Sequence, residues 1–232
     1  MSTNSRPTVL ITGATRGIGR AVADLLAQDH DLIIGGRSSA DVSALCDQLP
    51  SARPFIADLA DEDAVGAALG SLGDLAGLDG LVHSAGVLGS GALTDLRRAD
   101  WRHTLETNVV AVADLTRLLL QPLVAAKGTV VVVNSGSGLR AHGPGGAYSA
   151  SKFAVRAVAD SLREELRPRG VRVSTVYPGR TATDMQRELR SFERGEYVES
   201  NYLRPETVAG AVRFALSVPP EACVEDLSIR PR

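Results

Sequence analysis

The chain has 232 residues, of which 44% are hydrophobic and 22% are charged, and its net charge is −2. This length and apolar content suffice for one sizeable hydrophobic core, so we expect a single domain over residues 1–232. A net charge this close to zero argues against the basic surface that binds nucleic acids or acidic membranes, and we expect neither partner.

The first apolar run, Thr8–Thr12, is predicted to be a strand, and the letters GATRGIG follow it before a helical pattern begins. In such a strand–turn–helix unit, glycines let the backbone approach a pyrophosphate at the amino end of the helix. Gly13, Gly17 and Gly19 occupy these positions. Taken alone, a purely structural glycine turn explains the stretch about equally well.

The second predicted strand, 31–35, ends without the acidic residue that usually holds the adenosine ribose of NAD. Gly36, Arg37 and Ser38 stand there instead. The glycine carries no repulsive carboxylate, and the arginine and serine supply donors suited to a 2′-phosphate. The pattern favours NADP(H) over NAD(H), with an ordinary solvated arginine as the alternative interpretation of Arg37.

Strands and helices continue to alternate along the chain. Further strands are predicted at 53–57, 81–83, 130–133, 171–177 and 224–229, and helices at 40–49, 63–75, 100–125, 148–167 and 205–216. Residues 180–203 are charged with few periodic apolar positions, which predicts a mobile substrate lid. The alternation indicates an α/β fold with a doubly wound, Rossmann-like parallel sheet that binds ligands at the carboxyl ends of its strands.

Three reactive side chains lie in one segment, SGSGLRAHGPGGAYSASK, which covers residues 135–152. Ser135 follows a buried strand, and a glycine-rich loop then leads to a helix predicted to begin at Tyr148. Tyr148 and Lys152 are four residues apart on that helix, so the ammonium can approach the phenol. A nearby cation lowers a tyrosine pKa from about 10, which favours proton exchange near neutral pH.

The cysteines, histidines and amino terminus bear on location and metal content. Cys46 and Cys223 lie far apart in apolar-patterned segments, so we expect no disulfide and a reducing, cytoplasmic location. The four histidines lack metal-ligand spacing, and we predict no metal. No apolar run reaches roughly 18 residues, and MSTNSRP lacks the layout of a signal peptide, so we expect neither membrane segment nor signal peptide.

Ser135, Tyr148 and Lys152, with the serine and tyrosine thirteen positions apart, resemble the catalytic set of the classical short-chain dehydrogenases/reductases. The resemblance covers essentially the whole chain, because the glycine loop, the Ser84-Ala85-Gly86 turn and a proline-glycine-x-x-x-threonine pattern fall in order around that set. It implies that Asn108 is a fourth catalytic residue, which distorts its helix so that its backbone carbonyl holds a water leading to the lysine. A polar residue on a solvated face is the alternative for Asn108.

The same resemblance implies a cofactor site spread over several loops, with Asp58 and the next amide at the adenine and Thr183 at the nicotinamide carboxamide. Asp58 is equally suited to cap the following helix. Ser84 departs from the family's usual asparagine, which puts one stabilising contact of the central sheet in question. The expected cofactor-binding residues are Gly13, Thr15, Arg16, Gly17, Ile18, Gly19, Arg37, Ser38, Asp58, Leu59, Ser84, Ala85, Gly86, Tyr148, Lys152, Pro178, Gly179, Thr181 and Thr183.

These features predict an NADP(H)-dependent oxidoreductase that interconverts an alcohol and a carbonyl. Ser135 would polarise the carbonyl, Tyr148 would be the general acid in reduction, and Lys152 would lower the pKa of Tyr148 and hold the nicotinamide ribose. Asn108 would support the proton relay. Two alternatives are a catalytically inactive dinucleotide-binding regulator or scaffold, and a sugar-nucleotide epimerase or dehydratase, for which the short stretch after Tyr177 leaves little room.

The helix after Tyr148 has two apolar stripes, and a single core accounts for only one of them. Val155, Val158, Leu162 and Leu166 form the stripe that we expect in the core. Phe153 points away from it, which predicts a subunit interface in a homodimer or homotetramer, as the family resemblance also implies. The small-molecule substrate is not readable from the sequence; the loop residues that could touch it are Leu139, Arg140, His142 and Met185.

Overall fold

Seven parallel strands form the centre of the protein, in the order β3-β2-β1-β4-β5-β6-β7. The computed structural model describes residues 6–89, 91–141 and 145–232. The strands are β1 (Thr8–Thr12), β2 (Asp31–Gly36), β3 (Ala52–Ile56), β4 (Gly80–His83), β5 (Thr129–Val133), β6 (Arg172–Pro178) and β7 (Asp226–Ile229). The chain reverses its direction of travel across the sheet between β1 and β4, which is where such folds open a ligand crevice. The predicted doubly wound parallel sheet is confirmed.

Helices cover both faces of the sheet. They are α1 (Gly17–Leu26), α2 (Ser39–Gln48), α3 (Glu62–Leu72), α4 (Arg98–Leu105), α5 (Ala111–Leu118), α6 (Leu120–Ala126), α7 (Gly146–Leu166), α8 (Asp184–Phe192) and α9 (Pro205–Ser217). One apolar core joins α1, α2 and α9 to the sheet, and a second joins α3, α5, α6 and α7. Because both faces are covered, central strands such as β5, TVVVV, are buried along their whole length.

The single long helix predicted at 100–125 is wrong. Between α4 and α5 the chain forms a π turn, Glu106–Val110, and between α5 and α6 it bends by 61°. Pro122 explains the bend, because it has no N–H to continue the helical ladder and its ring crowds the preceding turn. Within the described ranges no single helix is long and apolar enough to cross a membrane. The bent pair 98–118 and 120–126 reaches the necessary length and apolar composition only when its two parts are taken together.

The segment 180–203, predicted to be a mobile substrate lid, contains α8. Thr183 caps this helix, because its Oγ1 accepts a hydrogen bond from the Gln186 amide at 3.3 Å. The two ends of the segment pair with each other: the Ala182 amide donates to the Leu203 carbonyl at 2.8 Å, and the Leu203 amide donates to the Arg180 carbonyl at 2.9 Å. The segment is therefore an ordered loop with a closed base, and its role as a lid stays a prediction.

Candidate active site

The glycine loop after β1 packs against the turn after β4. Gly13 has φ of +64°, and a β-carbon there would lie 2.8 Å from Cα of Ala85. A β-carbon on Gly19 would lie 2.2 Å from the Gly13 carbonyl oxygen, and Gly17 has φ of +56°. At Gly13 and Gly19 a side chain would displace backbone, and at Gly17 the positive φ favours glycine. The amino end of α1 is left open to the cleft, as a pyrophosphate requires.

The Thr12 hydroxyl ties the ends of β1 and β4 together. Its Oγ1 accepts hydrogen bonds from the amides of Ser84 and Ala85, both at 3.1 Å, and donates to the Val82 carbonyl at 3.4 Å. Ser84 therefore occupies a turn whose backbone is held from the neighbouring strand. These hydrogen bonds of Thr12 connect β1 to the turn after β4, although the family's usual asparagine is missing at residue 84.

Both arginines among the expected cofactor-binding residues are paired with carboxylates. Arg37 Nη1 lies 3.9 Å from Asp58 Oδ2, and Arg16 Nη1 lies 3.6 Å from Asp184 Oδ2 at the start of α8. All four side chains are about half exposed or more, so these pairs are weak. A β-carbon on Gly36 would lie only 2.7 Å from Cγ2 of Val42, so this glycine is also required by packing.

The helix caps bear on the two roles considered for Asp58, an adenine contact or a helix cap. Asp61, and not Asp58, caps α3, since the Asp61 carboxylate accepts from the Ala64 amide at 3.0 Å. The Asp58 carboxylate accepts from the Ala60 amide in the preceding turn and lines the cleft. Ser38 lines the cleft too, while its Oγ accepts from the Asp41 amide at 3.2 Å and caps α2.

Tyr148, Ser135 and Lys152 meet at the carboxyl end of β5. Lys152 Nζ lies 5.6 Å from the centre of the Tyr148 ring and donates to the Val133 carbonyl at 3.3 Å. The Ser135 side chain lies close enough to the Tyr148 phenol to affect its pKa, and the Ser135 Oγ accepts from the Ser137 amide at 3.1 Å. The predicted catalytic side chains therefore share one site.

Electrostatics at this site differ from the sequence expectation. Burial raises the pKa of Tyr148, and the smaller effect of the Ser135 hydrogen bond lowers it. Burial also lowers the pKa of Lys152 from 10.5 to about 8, because its ammonium is taken out of water. The net lowering of the Tyr148 pKa that the sequence predicted is wrong for the protein described here, since desolvation by burial outweighs the opposing effect of Ser135. A phenol with a raised pKa is protonated near neutral pH, which is the state of a general acid.

Asn108 is buried in the π turn, with 1% of its surface exposed, and this excludes a solvated face. Its Oδ1 accepts from the Val87 amide at 2.9 Å. Its Nδ2 donates to the Val87 carbonyl at 2.9 Å and to Ser151 Oγ at 3.0 Å. The helix distortion implied by the family resemblance is present, and the side chain of Asn108 holds the segment that leaves β4. Its part in a water relay stays a prediction.

Asn134 was not identified from the sequence, although it lies between β5 and Ser135. Its Oδ1 accepts from the Ser135 amide at 2.8 Å, and its Nδ2 donates to the Lys152 carbonyl at 3.1 Å. It is 4% exposed and connects the backbones that carry the serine and the lysine. The sequence did contain a signal for this role. A single asparagine at the end of an apolar strand is expected to be buried, and a buried side-chain amide needs hydrogen-bond partners.

A cleft of about 430 Å³ connects the two ends of the site. Of the expected site residues it brings together Gly13, Thr15, Arg16, Gly17, Ile18, Gly19, Arg37, Ser38, Asp58, Leu59, Ser84, Ala85, Gly86, Tyr148, Lys152 and Thr183. Pro178, Gly179 and Thr181 do not line it; the Thr181 hydroxyl donates to the Gly179 carbonyl at 3.0 Å and shapes the loop behind it. Met185 lines the cleft, whereas His142 lies outside the described residues.

No cysteine and no histidine lies among the described residues that line the cleft. Cys46 and Cys223 are both free thiols, in agreement with the expectation of no disulfide. In the portion of the chain that the structure describes, no group of three or more histidine, cysteine, aspartate or glutamate side chains could hold a metal ion. The expected absence of a metal stays a prediction.

Comparison with known proteins shows the family to which the chain belongs. The family model described as short chain dehydrogenase matches residues 7–194. Serine 3-dehydrogenase from Agrobacterium fabrum is 32% identical over 235 residues, which cover 97% of this chain and 93% of that protein. Glycine betaine reductase ATRR from Emericella nidulans is 31% identical over 234 residues, 96% of this chain, but this chain spans only 18% of that protein's length.

Solved structures share the whole fold. The alcohol dehydrogenase from the archaeon Thermococcus sibiricus, complexed with 5-hydroxy-NADP, has a TM-score of 0.84 and 27% identity, covering 97% of this chain and 96% of that one. A 3-oxoacyl-[acyl-carrier protein] reductase from Brucella melitensis with bound NAD has a TM-score of 0.81 and 26% identity, covering 97% of this chain and 90% of that one. The two neighbours carry different forms of the nicotinamide dinucleotide.

Proposed function

The chain belongs to the short-chain dehydrogenase/reductase family, and from this premise we propose that it is an NADP(H)-dependent oxidoreductase that interconverts an alcohol and a carbonyl. Tyr148 and Lys152 line the cleft together with the glycine loop and two arginines, and Ser135 lies beside Tyr148; this arrangement is the observation that carries the proposal. A dinucleotide bound along this cleft would have its nicotinamide beside Tyr148, the proposed general acid.

The residues present fit the cofactor. The glycine loop leaves a cradle in which a β-carbon at Gly13 would meet the backbone of Ala85. Arg37 and Arg16 line the cleft, and the position of the usual acid is a glycine. These features support NADP(H), because a 2′-phosphate gains a cation and meets no carboxylate at residue 36. A solved neighbour holds NAD, so the affinities for NADPH and NADH both have to be measured.

In the reduction, bound NADPH supplies a hydride to the carbonyl carbon. Ser135 donates a hydrogen bond to the carbonyl oxygen and orients it, and Tyr148 transfers its phenolic proton to that oxygen as the alcohol forms. Lys152 binds the nicotinamide ribose and supplies positive charge that stabilises the resulting phenolate. Asn108 and Asn134 position this set through the backbones of Val87 and Ser135. Oxidation of an alcohol runs the same steps backwards.

A dinucleotide-binding regulator without catalysis is the alternative. Two observations weigh against it: the buried amine of Lys152, whose pKa is depressed to about 8, and the buried phenol of Tyr148 beside Ser135. Burying a charge is costly, and a protein that only binds the dinucleotide does not need this one beside a phenol.

NADPH oxidation with a panel of aldehydes, ketones and quinones tests the proposal. Turnover that disappears in Tyr148→Phe supports it. Tight NADPH binding without turnover on any compound would favour the regulator.

The remaining proposals concern assembly, location and the lid. Phe153 on α7 and Val110 in the adjoining π turn are 41% and 46% exposed, which supports a homodimer or homotetramer that covers them. Two free thiols support a reducing, cytoplasmic location. Thr183 of the segment 180–203 packs on Gly17, where a β-carbon would lie 3.3 Å from its methyl group, which supports a lid that closes over the cofactor.

A further inference from the structure

Apolar side chains from separate segments surround the catalytic pair. Val87, which follows β4, and Met185, in the first turn of α8, line the cleft together with Tyr148 and Lys152. These two side chains come from opposite halves of the chain. Neither carries an ionisable group or a hydrogen-bonding head suited to a polar substituent.

Leu93 adds apolar surface at the start of the catalytic helix. A β-carbon on Gly146 would lie 2.4 Å from Leu93 Cδ2, so the Leu93 side chain packs against the backbone at Gly146. Gly146 is two residues before Tyr148. Leu93 is nevertheless 59% exposed. A leucine that packs against the start of the catalytic helix and is still exposed to water offers apolar area that a ligand can cover.

Leu139 provides a further apolar surface on the serine side. It follows the short 3-10 turn Gly136–Gly138, which begins directly after Ser135, and its amide donates to the Gly136 carbonyl at 3.1 Å. This bond fixes Leu139 relative to the catalytic serine. The side chain is 38% exposed.

The cations of the cleft are already engaged. Arg16 and Arg37 are paired with carboxylates at the glycine loop and at the adenosine end. Lys152 donates to the Val133 carbonyl and lies against the Tyr148 ring. Among the described residues that line the cleft there is no further lysine or arginine for a substrate carboxylate or phosphate.

We infer that the substrate is an uncharged carbonyl compound with an apolar substituent, an alkyl or aryl ketone or aldehyde, and that Leu93, Leu139 and Met185 bind that substituent. This inference rests on the proposed oxidoreductase function. In the reaction, hydride from NADPH adds to the carbonyl carbon, the oxygen takes the proton of Tyr148, and NADP⁺ and the alcohol leave. An acidic substrate would instead use Arg140, which is exposed beside Leu139.

A matched series of ketones tests the inference. We expect kcat/KM with NADPH to rise from 2-butanone to 2-octanone by up to about fourfold per methylene, the value for full burial of that group. 7-Oxooctanoate, which has the chain of 2-octanone with a carboxylate in place of the terminal methyl, is expected to react at least about tenfold more slowly, because its charge loses water without gaining a partner. Equal or faster reaction of 7-oxooctanoate would overturn the inference, and loss of that reaction in Arg140→Ala would identify the acidic substrate's partner.

Substitutions then locate the apolar surface. Leu93→Asp and the milder Leu93→Ser, and likewise Leu139→Asp, are expected to flatten the dependence on chain length. Phe214→Asp is the matched control, since Phe214 is 53% exposed on α9, which packs on the other face of the sheet. An unchanged chain-length dependence in folded Leu93 and Leu139 variants would contradict the assignment.

Binding separates failure of the inference from failure of the proposed function. If no compound oxidises NADPH, the proposed function fails, and calorimetric titration of 2-octanone and 7-oxooctanoate into the NADPH-loaded protein still decides the chemistry of the site. Binding of 2-octanone alone supports the inference. Tighter binding of 7-oxooctanoate, or binding of neither, overturns it.

Discussion

Both polar atoms of the Asn108 side chain pair with the backbone of Val87, each at 2.9 Å. Oδ1 accepts from the Val87 N–H, and Nδ2 donates to the Val87 carbonyl, so one carboxamide makes the two bonds that a neighbouring strand would make. Val87 follows β4 and lines the cleft, whereas Asn108 lies in the π turn that packs beside α7. The pair therefore connects the floor of the cofactor cleft to the catalytic helix.

Asn108→Ala is expected to lower the free energy of unfolding by about 3 kcal/mol, because it leaves the buried Val87 groups without partners at about 1–3 kcal/mol each. Urea denaturation measures the change. Asn201→Ala, in an exposed turn, is the control and should change stability by less than about 0.5 kcal/mol. A stability loss in Asn108→Ala no larger than in the control would refute the structural role.

Tyr148→Phe is expected to lower kcat by at least about 100-fold, because it deletes the proton donor at the reacting oxygen. The dissociation constant for NADPH should change little, since the hydroxyl does not touch the phosphates. Tyr197→Phe, in the segment 180–203, is the matched control: its ring lies 3.9 Å from the guanidinium carbon of Arg187, a contact that phenylalanine keeps. Turnover at the unmodified rate in Tyr148→Phe would rule out the proton-transfer role.

His83 should make the protein sensitive to mild acid. Burial lowers the pKa of His83 from 6.5 to about 3, and its Nε2 is hydrogen-bonded to Thr116 Oγ1 at 2.9 Å. Below pH 6.5 the unfolded chain binds a proton that the folded chain does not, so stability falls as pH decreases and stops falling near pH 3. Between pH 6.5 and 5 the loss should be about 2 kcal/mol.

His83→Gln should remove this part of the pH dependence, because glutamine can still donate to Thr116 but takes up no proton. His103→Gln, at an exposed position of α4, is the control that should retain it. The comparison requires urea midpoints at pH 7, 6 and 5. Parallel pH profiles for His83→Gln and the unmodified protein would show that His83 is not the titrating group.

Arg37→Ala is expected to weaken NADPH binding by roughly ten- to a hundredfold while leaving NADH affinity unchanged, because a hydrogen bond to a charged group contributes about 1.5–3 kcal/mol. The existing pair with Asp58 and the exposure of the site favour the lower end of that range. Adding Gly36→Asp, to supply the acid that usually holds the ribose of NAD, is unsuitable, because the new β-carbon would lie 2.7 Å from Val42 Cγ2. Arg20→Ala, which removes an exposed arginine paired with Asp24, is the control.

Both dissociation constants are to be measured at one ionic strength. Equal affinity of the unmodified protein for NADPH and NADH, or tighter binding of NADH, would contradict the NADP(H) assignment.

Phe153→Glu is expected to dissociate the homo-oligomer, because it places a charge where an exposed apolar ring on α7 would be buried between subunits. Light scattering at micromolar concentration measures the mass. Phe192→Glu changes a ring of similar exposure, 40% against 41%, and should leave the mass unchanged. A monomeric mass for the unmodified protein in the same measurement would contradict the prediction.

The sequence determined the strands, the family and most of the residues that line the cleft, because those features are local. β-Branched runs such as TVVVV specify buried strands, glycines at positive φ specify the phosphate loop, and four-residue spacing brings Lys152 near Tyr148. Strand order follows from short right-handed connections between such units. These interactions span few residues, so their spacing can be read directly.

Tertiary structure alone decided the features that depend on distant partners. The π turn at Asn108 is matched to the Val87 backbone, and the placement of Ser135 depends on Asn134 bridging to Lys152. Burial set the pKa of Tyr148, against the effect expected from its sequence neighbour. Desolvation and the satisfaction of buried polar groups are sums over everything packed around a residue, and no spacing along one chain contains them.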